Sequence, residues 1–365
     1  MQITTSKETL LQAINKANRF TSSRIGATAG LQGVLFQNNK GKLHIYSTNL
    51  STFFHTIIES QEQEEVKFLL DPRKIIEFIS LLNDGNIVLL LEKDKIFISQ
   101  NKTKGTFPFL SHSDFPTPPL VEKKGQEIDI KKFEELVSLV LFSASRDLSR
   151  PVLSGINFVE KEGEMDIVST DGFRLSLFHI KNELNMKSML IPAEFLLELI
   201  RNIKGKKTIM IKNLDKEKMV YFKVENDEYY TRLIEGDFPP YERVIPIEKK
   251  TTIIVDKNDL VRNVKLISVF ARDFSSIVVC QFRKGELALS PKVEGGVENS
   301  ATQEIEFEGE EMKVAFNFKF LLEFLNTTNE DKIIIELLRS DAPVVLKVPK
   351  EKEYLHIIMP VRIQE

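Results

Sequence analysis

One pattern, repeated three times at equal spacing, limits the fold of this chain more than any other feature. The hexamers KGKLHI, EGEMDI and KGELAL carry Gly41, Gly163 and Gly285, each 122 residues after the one before. The run Ile75-Ile76-Glu77-Phe78-Ile79 returns as Leu196-Leu197-Glu198-Leu199-Ile200 and again as Leu321-Leu322-Glu323-Phe324-Leu325. Asp114-Phe115-Pro116 returns as Asp237-Phe238-Pro239. A domain-sized unit copied three times predicts an arc or ring of equivalent pieces rather than one cleft with one reactive centre.

Size and composition agree. At 365 residues, 42% hydrophobic and 28% charged, the chain can build several cores. Single cores stop growing beyond about 250–300 residues. Polar or proline-bearing stretches, PPLVEKKGQ and PIEKKT, mark the joints. They give three domains, at residues 1–122, 127–247 and 250–365. No apolar run approaches the roughly 18–20 residues of a membrane span, and the N-terminus lacks a signal-peptide profile. The single cysteine, Cys280, allows no intrachain disulfide and suits a reducing cytosol; its apolar surroundings predict a buried small hydrophobe. The net charge of −3, from 50 basic and 53 acidic residues, permits nucleic-acid binding only if cations gather on one face.

Each third opens with an amphipathic helix, from Thr4, Asp129 and Val255, with Asp129 and Asp256 as predicted N-caps. A second helix follows at Arg73–Leu82, Glu194–Ile203 and Lys319–Thr327. Pro72 and Pro192 precede two of these, and Asn317 caps the third. Short runs rich in β-branched residues, such as Val66–Leu70, Ile87–Leu91, Thr208–Lys212 and Val344–Val348, predict strands. The fold class is α+β, with helices on one face of antiparallel sheets. Such domains can continue their sheets edge to edge, and a head-to-tail homodimer would cover the two terminal edges and close a ring.

Three further motifs carry a resemblance. They are Thr170-Asp171-Gly172-Phe173-Arg174-Leu175, the run from Asp237 to Pro246 (DFPPYERVIP), and the closing Met359-Pro360-Val361-Arg362-Ile363. Together with the triplication, the chain resembles the bacterial DNA polymerase III β subunit family of sliding clamps over its whole length. The resemblance implies a homodimeric ring of clamp fold, with helices lining the hole and sheets outside. It implies a non-catalytic processivity factor of the cytoplasm, associated with the nucleoid, that threads duplex DNA without regard to sequence. Its partners would be the polymerase III catalytic subunit, the clamp loader and repair proteins, bound through short peptides, with no cofactor, metal or membrane.

Site residues follow from that resemblance. Sequence-blind sliding needs mobile cations on phosphate and no base-reading groups. The candidates are Arg24, Arg73, Lys74, Arg146, Arg150, Arg201, Lys204, Lys265 and Lys319. The peptide pocket would comprise Leu153, Thr170, Gly172, Arg174, Leu175, Pro239, Arg243, Val244, Met359, Pro360, Val361 and Arg362. Leu, Val, Met and Pro would form its floor, and Arg174, Arg243 and Arg362 would hold carbonyls or carboxylates at its rim. The subunit contact would join Lys74, Phe78 and Phe107 of one chain to Leu266, Ile267, Glu304 and Glu306 of the other.

The chain departs from the family pattern in four places. The segment after Arg24, IGATAGLQG, lacks the proline and bulky apolar residues often seen there. Glu194 stands where the family often has lysine, Phe173 replaces a common histidine, and Gln364-Glu365 extends the end. No catalytic pattern emerges. Gly205-Lys206-Lys207-Thr208 lacks the upstream glycine of a phosphate loop, and the five histidines are scattered. Asp166 and Asp171 read as strand-end and turn residues. Two alternatives remain. One is a scaffold of the same fold that does not encircle DNA, motivated by Glu194. The other is a hydrolase or nuclease using scattered carboxylates, which Asp171→Ala would disable.

Overall fold

Side-chain caps and prolines start several of the helices where the sequence places them. The structure is a computed structural model and describes residues 1–24, 26–112, 115–121, 125–183, 185–272, 275–292 and 299–362. The helices are α1 (Lys7–Asn18), the short α2 (Ala29–Gln32), α3 (Pro72–Ser80), α4 (Ile130–Leu141), α5 (Ala193–Ile203), α6 (Lys257–Ala271) and α7 (Phe318–Thr327). Asp71, Asp256 and Asn317 cap α3, α6 and α7, accepting from the backbone N–H of Arg73, Asp259 and Lys319. The first helix starts at Lys7 rather than Thr4. Residues Gln2–Ser6 form a strand against Asn86–Leu91, with Ile3 and Thr5 buried.

The described strands form three antiparallel sheets. The first runs Gln2–Ser6, Asn86–Leu91, Lys95–Gln100, Thr103–Pro108. An 8-stranded sheet starts with Val66–Leu70, Val34–Asn39, Lys42–Thr48 and Thr52–Glu59. It continues without a break into Asp227–Arg232, Met219–Val224, Thr208–Leu214 and Gln126–Asp129. A 12-stranded sheet likewise joins Arg174–Lys181 to Glu351–Ile358. Sheets therefore run across the sequence repeats, as edge-to-edge continuation requires. Contacts group the chain into two compact units. Unit 1 holds Met1–Lys131 and Phe195–Leu233, and unit 2 holds Lys132–Glu194 and Ile234–Glu365. The central third contributes to both.

In unit 1, α1 packs on α3 and on the strands Lys42–Thr48 and Thr52–Glu59 through Leu10, Ala13, Ile14 and Ala17. In unit 2, α6 packs on α7 and on four strands through Leu260, Val264, Ile267 and Ala271. Cys280 is buried as expected, and that burial pushes its thiol up to about 12. No helix among the described residues is long and apolar enough to cross a membrane.

The joint in the 8-stranded sheet contains a polar chain that the sequence reading missed. His44 Nδ1 lies 3.0 Å from His55 Nε2, and His55 Nδ1 lies 2.9 Å from Glu228 Oε2. The imidazoles are 3° from parallel with centroids 5.2 Å apart. That spacing is the ring–nitrogen–nitrogen–ring sum of a head-on N–H···N bond, with no room for an ion between. Tyr221, Tyr230 and Lys223 also bond Glu228. Burial alone would raise the Glu228 carboxyl, but hydrogen bonds from His55 and Lys223 outweigh it and hold it down to about 2. A depressed carboxyl stabilises the fold above the unfolded value of about 4.3 and ceases to do so as pH falls through the folded value. Thermal midpoints of the wild type should therefore fall between pH of about 4.3 and 2 by more than those of Glu228→Gln. Parallel profiles for the two proteins would assign acid sensitivity elsewhere.

Candidate partner groove and nucleic-acid interface

The twelve pocket residues all lie in unit 2, and the fold brings three separate segments of them onto one sheet region. The first is the turn after the strand Glu164–Thr170. Thr170 Oγ1 donates to the Arg174 carbonyl at 2.6 Å and accepts from the Gly172 N–H at 3.0 Å. Asp171 Oδ1 accepts from the backbone N–H of Phe173 and Arg174 at 2.9 and 3.0 Å. Gly172 has φ of +92°, which explains the glycine. The turn pushes Phe173 outward, 63% exposed.

The second segment is the 3-10 turn Tyr241–Val244, which exposes Arg243 and Val244 beside exposed Pro239. The third is the tail. The Met359 N–H donates to the Phe173 carbonyl and the Val361 N–H to the Ala315 carbonyl, both at 2.8 Å. The tail thus ties the first turn to the strand Met312–Asn317. Met359 and Arg362 are exposed, Pro360 and Val361 half-buried, and Leu153, Thr170 and Leu175 buried. Leu175 shares a cluster with Val168, Leu177, Tyr241, Val345 and Ile357. Asp114, Ile363, Gln364 and Glu365 lie outside the described residues.

Arg174 corrects the sequence reading. It is 8% exposed and cannot serve as a free rim cation. Its Nε donates to Asp171 Oδ2 at 3.0 Å, its Nη1 bonds Glu323, and its guanidinium stacks over Phe320 at 4.5 Å. It is an internal strut beneath the candidate groove. Asp171, offered as a nuclease carboxylate, caps this turn and pairs with Arg174. Asp166 is neither strand-end nor turn. It sits inside the strand Glu164–Thr170, buried and bonded by Lys161, His179 and Tyr241.

All nine DNA-facing candidates are exposed. Arg24, Arg73, Lys74, Arg201 and Lys204 belong to unit 1, and Arg146, Arg150, Lys265 and Lys319 to unit 2. Arg201 is engaged: Glu198 accepts from it at 2.5 Å and from Arg19 at 2.8 Å. Lys16 bonds Asp227 at 2.5 Å. The repeated glutamate of the second helix was the signal for these partners. Glu198 and Glu323 are equivalent repeat positions, and each receives arginine. Glu194 is exposed in the first turn of α5, where a carboxylate complements the positive end of the helix.

Of the subunit-contact candidates, Ile267 is 2% exposed and belongs to the core of its own unit. Leu266 is 53% exposed, and Val269 and Phe270 on the same helix are also exposed, an outward stripe the sequence reading missed. Helical spacing from Leu266 was the available signal. Phe78 and Phe107 pack edge to face at 5.5 Å over Gly105, where a Cβ would lie 2.8 Å from Phe78. Lys74 and Glu304 are exposed, and Glu306 is exposed while bonding Lys332 at 2.8 Å.

Comparison with known proteins gives a consistent result. Three family models match in order. They are the N-terminal domain of the DNA polymerase III beta subunit at residues 1–119, its central domain at 127–240 and its C-terminal domain at 242–362. The beta sliding clamp of Treponema pallidum is 26% identical over the full length of both chains. That of Halalkalibacterium halodurans is 24% identical over 99% of this chain and all of its own. The crystal structure of the DNA polymerase III beta subunit from Thermotoga maritima superposes with a TM-score of 0.92 at 26% identity, covering both chains completely. A Pseudomonas aeruginosa sliding clamp bound to griselimycin matches in fold, with a TM-score of 0.91, 20% identity and full coverage of both chains.

Proposed function

This chain belongs to the DNA polymerase III beta subunit family, and we propose that it works as a sliding clamp, a ring-shaped homodimer that encircles duplex DNA and tethers the replicative polymerase. The observation that carries this reading is the ordered match of all three domains of that family along residues 1–362. Retention is topological. A closed ring cannot leave sideways, so a bound polymerase keeps a high effective concentration at its template. The chain supplies no chemistry of its own, and loading would fall to an ATP-driven partner.

Local physics supports the assignment of cations to DNA. Arg73, Lys74 and Lys319 stand in the first turns of α3 and α7, where the helix dipole disfavours positive charge by about 0.3–1 kcal/mol. Helix stability does not call for Lys74 and Lys319, whereas contact with phosphate would; Arg73 also pairs with the capping Asp71 at 3.6 Å. The ring contact is supported by the strand Thr103–Pro108, which ends its sheet, and by the exposed stripe Leu266, Val269 and Phe270. Lys102 and Lys104 at that edge complement Glu304 and Glu306.

Loading onto circular and linearised DNA tests the function. The protein should survive gel filtration on the circle and run off free ends. Equal loss from both would sink the clamp and favour a scaffold that does not encircle DNA.

The groove of Phe173, Val244 and Met359 would take short partner peptides, and griselimycin is a suitable probe for it. Phe173→Ala should weaken griselimycin binding by about fivefold, for the partial burial of one ring. Unchanged affinity would place the ligand elsewhere.

A further inference from the structure

The segment carrying Pro239, Arg243 and Val244 has little backbone support of its own. Between Leu233 and Lys250 the 3-10 turn Tyr241–Val244 is the one regular element. The backbone bonds closing that turn, from Arg243 to Pro240 and from Ile245 to Glu242, are both 3.3 Å long. Side chains provide the closer attachment. The Tyr241 ring is buried against Val168, Leu175, Leu177, Val345 and Ile357, and its hydroxyl donates to Asp166 Oδ2 at 2.5 Å. Lys161 Nζ bonds Asp166 Oδ2 and Glu242 Oε1 at 2.8 Å each and lies 5.0 Å from the Tyr241 ring centroid. His179 Nδ1 meets the other Asp166 oxygen at 2.6 Å, and its Nε2 pairs with Glu164 at 3.0 Å.

Asp166 is 5% exposed. Burial would raise its carboxyl, but bonds from His179, Lys161 and Tyr241 outweigh it and hold the carboxyl below its ordinary value. A buried carboxylate with all these donors is a fixed point, because moving any donor away strands the charge. Two of the donors act on the turn: Tyr241 belongs to it, and Lys161 also grips its Glu242.

We propose that Lys161, Asp166 and Tyr241 are positioning residues for the partner groove, clasping the turn so that Arg243 and Val244 stand ready for a peptide. The proposal rests on the groove reading given above. The clasp touches no ligand. It acts by sparing the ligand the cost of ordering a loose wall, so its loss appears as weaker binding by a protein that is still folded.

The test compares griselimycin affinity and amide hydrogen exchange in the wild type, Tyr241→Phe and Lys161→Gln. Tyr241→Phe keeps the buried ring and removes one charge-assisted bond. Lys161→Gln alters a partly exposed side chain and leaves Asp166 its bonds from His179 and Tyr241, so the fold should survive the change at some cost in stability. Each variant should bind about tenfold more weakly, the equivalent of one such bond. Exchange at residues 241–245 should quicken while the rest of unit 2 keeps its protection. Affinity within twofold of wild type in both variants, or unchanged exchange at the turn, overturns the clasp. A wild type that fails to bind griselimycin overturns the groove itself, and the clasp's role in it.

Discussion

Deleting residues 359–365 should reduce griselimycin binding by a hundredfold or more while leaving the fold and the proposed dimer intact. The deletion removes Met359, Pro360, Val361 and Arg362 together, one of the three segments that build the groove. It also cuts the two backbone bonds, to Phe173 and Ala315, by which the tail bridges the turn and the strand Met312–Asn317. A central, well-packed anchor is worth about 2–4 kcal/mol in a binding site, and about 2.7 kcal/mol is already a hundredfold. The fold should survive because the tail follows the strand Glu351–Ile358. That strand keeps its pairing with both Arg174–Lys181 and Val344–Val348. The turn that carries Phe173 keeps its Asp171 cap. Solution mass should stay that of the full-length protein, since the deletion touches neither Thr103–Pro108 nor the stripe at Leu266. Retained affinity in the truncated protein would move the groove away from the tail.

What the sequence could reveal was set by range. Helix starts at Pro72, Asp256 and Asn317 were legible because a cap or a proline acts within a few residues. The repeat announced equivalent modules, and the sheets do run from one to the next. Thr4 to Ser6 was misread. A serine before Lys7 suits a helix start, and only the partner strand Asn86–Leu91 makes the stretch extended. The candidate groove residues stood out as motif positions, yet their contacts did not. Arg174 reads as a rim cation until Glu323, 149 residues away, is brought beside it. Asp166 looked ordinary because its donors come from residues 161, 179 and 241. His44 and His55 looked scattered, although the hairpin of Lys42–Thr48 and Thr52–Glu59 brings them side by side. In each case the missing information was a register or a long-range contact, which composition and spacing do not encode.

Arg174→Ala should destabilise unit 2 by about 3 kcal/mol, because removing one member of a buried ion network strands the others. Asp171 and Glu323 both lose their cation, and Phe320 loses the guanidinium stacked on it. The lower end of the usual 3–5 kcal/mol range applies. Glu323 keeps some solvent, and Asp171 keeps the Phe173 and Arg174 N–H donors. For a unit of this size about 3 kcal/mol corresponds to a fall in melting temperature of roughly 6–12 °C. Arg174→Lys should recover only part of it, since a single ammonium cannot reproduce a planar fork that reaches two carboxylates and lies over a ring. Adding Glu323→Gln to Arg174→Ala should cost less than the sum of the two single changes, as coupled partners do. The opposite pattern is equally readable. Unchanged melting with a large loss of griselimycin affinity would mean that Arg174 meets the ligand directly and that its bonds to Asp171 and Glu323 give way on binding.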